Sequence, residues 1–123
     1  MLPSHKLELE ILRNAQWGSD RDHDGWPTTM GDLGNIVRRA MECTDTMLED
    51  AMKRLHEDRQ LRLRKLVNKF VEYEDFNAGD EEFFYRGDFW LLIPPQGRPY
   101  YEALLAKAAD EPKPKPPIGF SAA

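Results

Sequence analysis

Three groups of residues in this 123-residue chain have types and spacing that could do chemistry. The first lies in SDRDHDGWP at 19–27, where Asp20, Asp22, Asp24 and Gly25 spell D-x-D-x-D-G. That is the opening half of an EF-hand loop: alternate carboxylates converge on a hard cation, and the glycine permits the turn between them. The second half is missing. Counting from Asp20, the bidentate acid falls at Gly31, Asp32 comes one position late, and Trp26 and Pro27 occupy the middle. The stretch is read as a solvated turn without a metal, its aspartates bonded to nearby amides and Trp26 packed down on the domain.

The second group is nucleophilic or metal-ligating. His5, His23 and His56 are scattered, and no second histidine or cysteine stands at ligand spacing from His23. Cys43 would be activated as a thiolate at a helix N-terminus, but a lone cysteine between two packed helices reads as a small buried side chain. G-D-L-G at 31–34 lacks the strand and the spacing of a phosphate loop. The expectation is a protein with no catalytic residue and no cofactor. The third group is basic: Arg59, Arg62, Arg64, Lys65 and Lys69, with Arg38, Arg39 and Lys53 nearby. It fits two readings, a stripe of phosphate contacts or the solvated face of an edge strand.

The elements that would position these residues follow from periodicity. Leu7, Ile11, Leu12 and Ala15 make a helical stripe over about 5–17, with Ser4 as its cap. Thr29 and Asp32 resemble a short capping box opening a second helix over 30–41, with Met30, Leu33, Ile36, Val37, Ala40 and Met41 as its apolar positions. Thr44 caps a third over 45–58, whose inward face is Met47, Leu48, Ala51, Met52 and Leu55. LRLRKLVNKFVEYE then turns to β-branched and aromatic residues, DFNAGDEE is a loop, and FFYRGDFWLLI reads as further strand split by a tight turn at 86–88. Pro94 and Pro95 stop strand pairing, and a last helix carries Tyr101, Leu104, Leu105 and Ala108. The domain is expected over 1–110, followed by a proline-rich tail over 111–123.

Three helices, a hairpin and a closing helix resemble the winged helix-turn-helix family of bacterial transcription regulators. The resemblance rests on the short link MECTD between helices two and three, on DAMKRLHEDRQLRLRK, similar to a third helix leading into a first wing strand, and on FWLLIPPQGRPYYEAL, similar to a wing-ending passage. It implies an α+β winged helix, with the helix-turn-helix at 30–58 and the wing within 60–93. Arg59 departs from the pattern, because the family commonly has glycine at that turn, where positive φ is convenient.

The resemblance also implies DNA binding, with the outward face of the third helix in the major groove. Here that face is Asp45, Thr46, Glu49, Asp50 and Lys53, and the expected wing is acidic too. Together with the net charge of −5, this repels phosphates. Two functions therefore stand side by side. One is a nucleic-acid-binding regulator making weak, sequence-tolerant contacts to duplex DNA through Arg38, Arg39, Lys53, Arg59, Arg62, Arg64, Lys65 and Lys69. The other is a protein-interaction or dimerisation module with a basic protein partner, helped by exposed aromatics among Phe83, Phe84, Tyr85, Phe89 and Trp90. Family members often pair through the first or last helix, which implies a homodimer. The single cysteine, the absence of a membrane-spanning apolar run and the charge-interrupted N-terminus lead to the expectation of a cytoplasmic protein.

Overall fold

Helix α1 (Pro3–Ser19) is the element around which the others gather. The computed structural model describes residues 1–19, 28–66, 73–75 and 77–110. Proline at the first helical position loses nothing, since its missing N–H would have had no intrahelical partner. The helix therefore starts two residues before the expected boundary, and the first-turn bond from the Lys6 amide runs to the Leu2 carbonyl instead of to a Ser4 cap. Leu7, Leu9, Ile11, Leu12 and Ala15 are all buried, a face wider than the expected stripe. The helix packs against α2 (Met30–Arg38), α3 (Asp45–Glu57), α5 (Arg98–Asp110) and strand β3 (Phe89–Leu92).

Both expected threonine caps are present: the Thr29 hydroxyl accepts from the Asp32 amide and the Thr44 hydroxyl from the Met47 amide, each at 3.1 Å. Helix α2 ends earlier than expected. The Arg39 and Ala40 amides turn back to Ile36 and Val37, tightening the last turn, and this leaves Ile36 and Ala40 exposed. In α3, Leu48, Ala51, Met52 and Leu55 are buried as read, but Met47 lies on the flank of that stripe and is 40% exposed.

The chain is α+β, with five α-helices and one three-stranded antiparallel sheet among the described residues. Strand β1 (Arg62–Leu66) is central, between β2 (Tyr73–Asp75) and β3. Its register sets Arg62 opposite Leu92 and Arg64 opposite Trp90 on one side, and Arg64 opposite Asp75 on the other. A bridge between Thr28 and Phe89 ties the segment ahead of α2 to the sheet.

The aromatic run corrects the sequence reading. Residues 81–86 form a short helix, α4 (Glu81–Arg86), not a strand. Burial decides this against β propensity. The Phe84 amide closes onto the Asp80 carbonyl, and the Phe84 ring sinks to zero exposure, stacked 5.9 Å from Phe89. Phe84, Phe89 and Trp90 are buried, so they form no sticky patch, and Tyr85 alone of the described aromatics here is exposed. The calcium-like loop at 20–25, Trp26, Lys69 and the tail 111–123 lie outside the described residues.

Two features join segments that are distant in the chain. After α3 the backbone turns through Arg59 at φ 58°, the left-handed region in which an L side chain is strained. Against that turn lies the 3₁₀ segment Pro95–Gly97, so closely that a Cβ on Gly97 would stand 2.7 Å from the Gln60 carbonyl oxygen. The second feature is Glu8, the one buried charged residue among those described. Its carboxylate accepts from the Tyr100 hydroxyl of α5 and lies 3.8 Å from the Arg54 guanidinium of α3. Burial, then the bond to Glu8 and the charges of Glu8 and Asp58, push the Tyr100 hydroxyl well above its ordinary pKa, with Arg54 opposing.

Denaturant titration should separate the glycines. Gly97→Ala should lose about 1–3 kcal/mol, since the methyl meets rigid backbone. Gly31→Ala in α2, where the nearest atom is 3.8 Å from the added carbon, should gain about 0.5–1 kcal/mol. Arg59→Gly should also gain about 0.5–1 kcal/mol by relieving the left-handed turn. Equal effects at 31 and 97 would contradict the close approach.

Alkaline unfolding checks the Glu8 cluster. The folded state holds the Tyr100 proton more tightly than the unfolded chain. Between the unfolded value of about 10 and the folded one it therefore binds more protons, and stability falls as pH rises through that window. Tyr100→Phe should flatten this alkaline loss. At neutral pH it should cost about 1–3 kcal/mol, because Glu8 loses its donor. An unchanged alkaline slope in the variant would show that Tyr100 is not the responsible group.

Candidate interaction surface

Helix α3 presents its polar side chains because the opposite stripe is fixed in the core. With Leu48, Ala51, Met52 and Leu55 inward, a period of 3.6 turns Thr46, Asp50 and Glu57 outward, and all three are exposed, as is Asp45 at the N-terminus. Glu49 and Lys53 flank them, half-buried and joined by an ion pair of 2.6 Å. The Glu49 carboxyl is held below its ordinary pKa by the Lys53 hydrogen bond first and by a bond from the Tyr85 hydroxyl second, against an opposing effect of burial. It stays charged under ordinary conditions, and Tyr85 of α4, 44% exposed, borders it.

The residues read as phosphate contacts are spread over α2, α3 and the start of β1 among the described residues. Arg38 braces the link between α2 and α3: its Nε donates to the Cys43 carbonyl at 2.9 Å, and its Nη2 pairs with the Asp45 carboxylate. Arg39 is exposed on the turn after α2. Lys53 is engaged by Glu49. Arg59 and Arg62 are exposed where α3 hands over to β1, while Arg64 and Lys65 are half-buried along the strand. Register places Lys65 opposite Glu74, as it places Arg64 opposite Asp75. Lys69 lies outside the described residues.

Cys43 is half-buried and packs against the core beside the α2–α3 link. Among the described residues, no three His, Cys, Asp or Glu side chains stand together to hold a metal. No helix there is long and apolar enough to cross a membrane. The described part of α1 turns its large apolar residues inward except at Met1 and Leu2 just before it, and α5 buries Tyr101 and Leu104. Among the described side chains, neither helix offers a broad apolar face to a second copy.

Two adjoining clefts wrap the C-terminal turn of α3, and sequence reasoning missed both. One, of about 700 Å³, lies between Lys53, His56 and Glu57 and the loop Asn77–Asp80. The other, of about 410 Å³, opens between His56, Arg59 and Arg62 on one side and Pro94 and Gln96 on the other. They share His56, Glu57 and Asn77. The sequence signal was weak: P-P-Q-G at 94–97 marks a chain reversal, but nothing local says that it folds back on the turn after α3.

No protein-family model, no curated protein and no solved structure matches this chain, so its functional reading rests on the geometry of α3 and its surroundings.

Proposed function

We propose that this chain is a winged helix-turn-helix domain serving as a protein-interaction module, its α3 face receiving a basic segment of a partner protein. The order α2, short link, α3, antiparallel strands and closing helix supports the winged-helix reading. One observation carries the partner chemistry. The exposed face of α3 offers Asp50 and Glu57, while the cations on and beside it, Arg38, Lys53 and Arg54, are already paired with Asp45, Glu49 and Glu8. A duplex laid on this face would bring phosphates against carboxylates with few counter-charges to release. Lysines and arginines of a partner would find acceptors there, and the exposed Tyr85 ring adds a face for a guanidinium or ammonium.

A second reading, a regulator that touches duplex DNA, is favoured by Arg59 and Arg62, both exposed at the end of α3 and the start of β1. In that case the contacts are to phosphates and the sequence preference is slight.

Fluorescence anisotropy separates the two. A labelled lysine- and arginine-rich peptide should bind saturably, and affinity should fall as salt rises. Asp50→Lys with Glu57→Lys should weaken it at least about tenfold, a loss of about 1.4 kcal/mol. Glu102→Lys on exposed α5 should leave it unchanged. Mixed-sequence duplex DNA should not bind even at ~50 mM salt, where phosphate contacts are strong. Duplex binding that is lost on replacing Arg59 and Arg62 by alanine, with no peptide binding, would reverse the assignment.

A further inference from the structure

The larger of the two clefts lies at the C-terminal end of the α3 face, and each of its walls carries a carboxylate. Glu57, exposed in the last turn of α3, stands on one wall, and Asp80, exposed at the end of the loop Asn77–Asp80, stands on the other. Among the described residues, neither carboxylate makes a side-chain hydrogen bond or an ion pair. Lys53, which also lines the cleft, is held by Glu49 at 2.6 Å. Its charge is therefore already answered.

The loop wall is set before anything binds. The Asp80 amide closes the turn onto the Asn77 carbonyl at 2.9 Å, Ala78 is buried in the core, and the Asp80 carbonyl accepts from the Phe84 amide of α4. A wall already ordered avoids the entropy that ordering a loop on binding would cost. Gly79 of the same wall faces open space, since a Cβ there would meet nothing within 4 Å.

The arrangement suits an extended cation. His56, Glu57 and Asp80 line one cleft, yet they do not come together as a group that could hold a metal ion. Carboxylates on facing walls call for a cation whose donors point in more than one direction. A guanidinium has five N–H donors around a plane, so its edges can serve both walls, whereas an ammonium is a compact point charge. Exposed Asn77 adds a side-chain amide at the rim. The volume of about 700 Å³ leaves room for the backbone on either side of the bound side chain.

We propose that this cleft is the pocket for an arginine side chain of the basic partner segment, its guanidinium bridging Glu57 and Asp80. The proposal rests on the α3 face being the receiver of that segment, and it adds which side chain is anchored and where.

The test is an amide chemical-shift titration of the full chain with acetyl-Gly-Arg-Gly-amide and with the same peptide carrying neutral citrulline instead of arginine. The arginine peptide should give saturable shifts at Glu57 and Asn77–Asp80, with a dissociation constant of about 5 mM or below. The citrulline peptide should bind at least about fivefold more weakly, having lost the charge. Asp80→Asn should weaken the arginine peptide at least about threefold. Gly79→Trp, whose side chain enters open space and leaves the spectrum dispersed, should abolish the response. Both variants should also cost the lysine- and arginine-rich peptide at least about threefold in affinity, although neither residue belongs to α3. If that longer peptide binds through Asp50 and Glu57 but is indifferent to Asp80→Asn and Gly79→Trp, the pocket is overturned and the interaction reading stands. Equal binding of the citrulline peptide also overturns the pocket. If neither charged peptide binds, both proposals fall.

Discussion

The burial of a wide face of α1 is the constraint from which the rest of the structure follows. A surface helix hides one stripe; this one hides Leu7, Leu9, Ile11, Leu12 and Ala15, and Glu8 with them. Covering so wide a face takes α2 and α3, the sheet through β3, and α5 closing from the C-terminal side. A carboxylate carried into that interior must be satisfied, because a buried unpaired charge is among the most destabilising features a core can hold. Tyr100 and Arg54 do this from two different helices, so one polar cluster fixes how α3 and α5 stand on α1.

Fixing α3 fixes the proposed interaction surface. Once Leu48, Ala51, Met52 and Leu55 face α1 and the core, the helical period leaves no choice about which residues meet the solvent. Nor is there freedom in the charges beside it. Arg38 must brace the link to α2, and the Glu49–Lys53 pair runs along the helix with Tyr85 against it. The cations that could have balanced the acidic face are thus consumed in holding the helices together. The exposed Arg59 and Arg62 stand past the end of α3.

What the sequence made legible was local. Thr29 and Thr44 cap the helices as read, the residues read as inward on α3 are buried except Met47, which is exposed, and Arg59 was identified as a position suited to glycine, where φ is 58°. The misreadings are of contacts remote in the chain. Phe84 lies in a run that favours strand, and it is helical because its ring belongs against Phe89. Glu8 fell outside the stripe read for α1, and the partner that makes its burial tolerable is 92 positions away. The clefts exist only because Pro95–Gly97 returns to Gln60, which no periodicity announces.

The central claim is that the α3 face carries a negative potential, and the most direct measurement reads that potential without a partner. Amide-proton relaxation would be compared in the presence of cationic and anionic nitroxides of the same shape. Charged cosolutes accumulate where the surface potential attracts them, within about a Debye length of 10 Å at 0.1 M ionic strength. The account predicts that the cationic nitroxide relaxes the amides of Thr46, Asp50, Lys53 and Glu57 more strongly than the anionic one, with the order reversed at Arg59 and Arg62. Stronger relaxation of the α3 amides by the anionic nitroxide would contradict it.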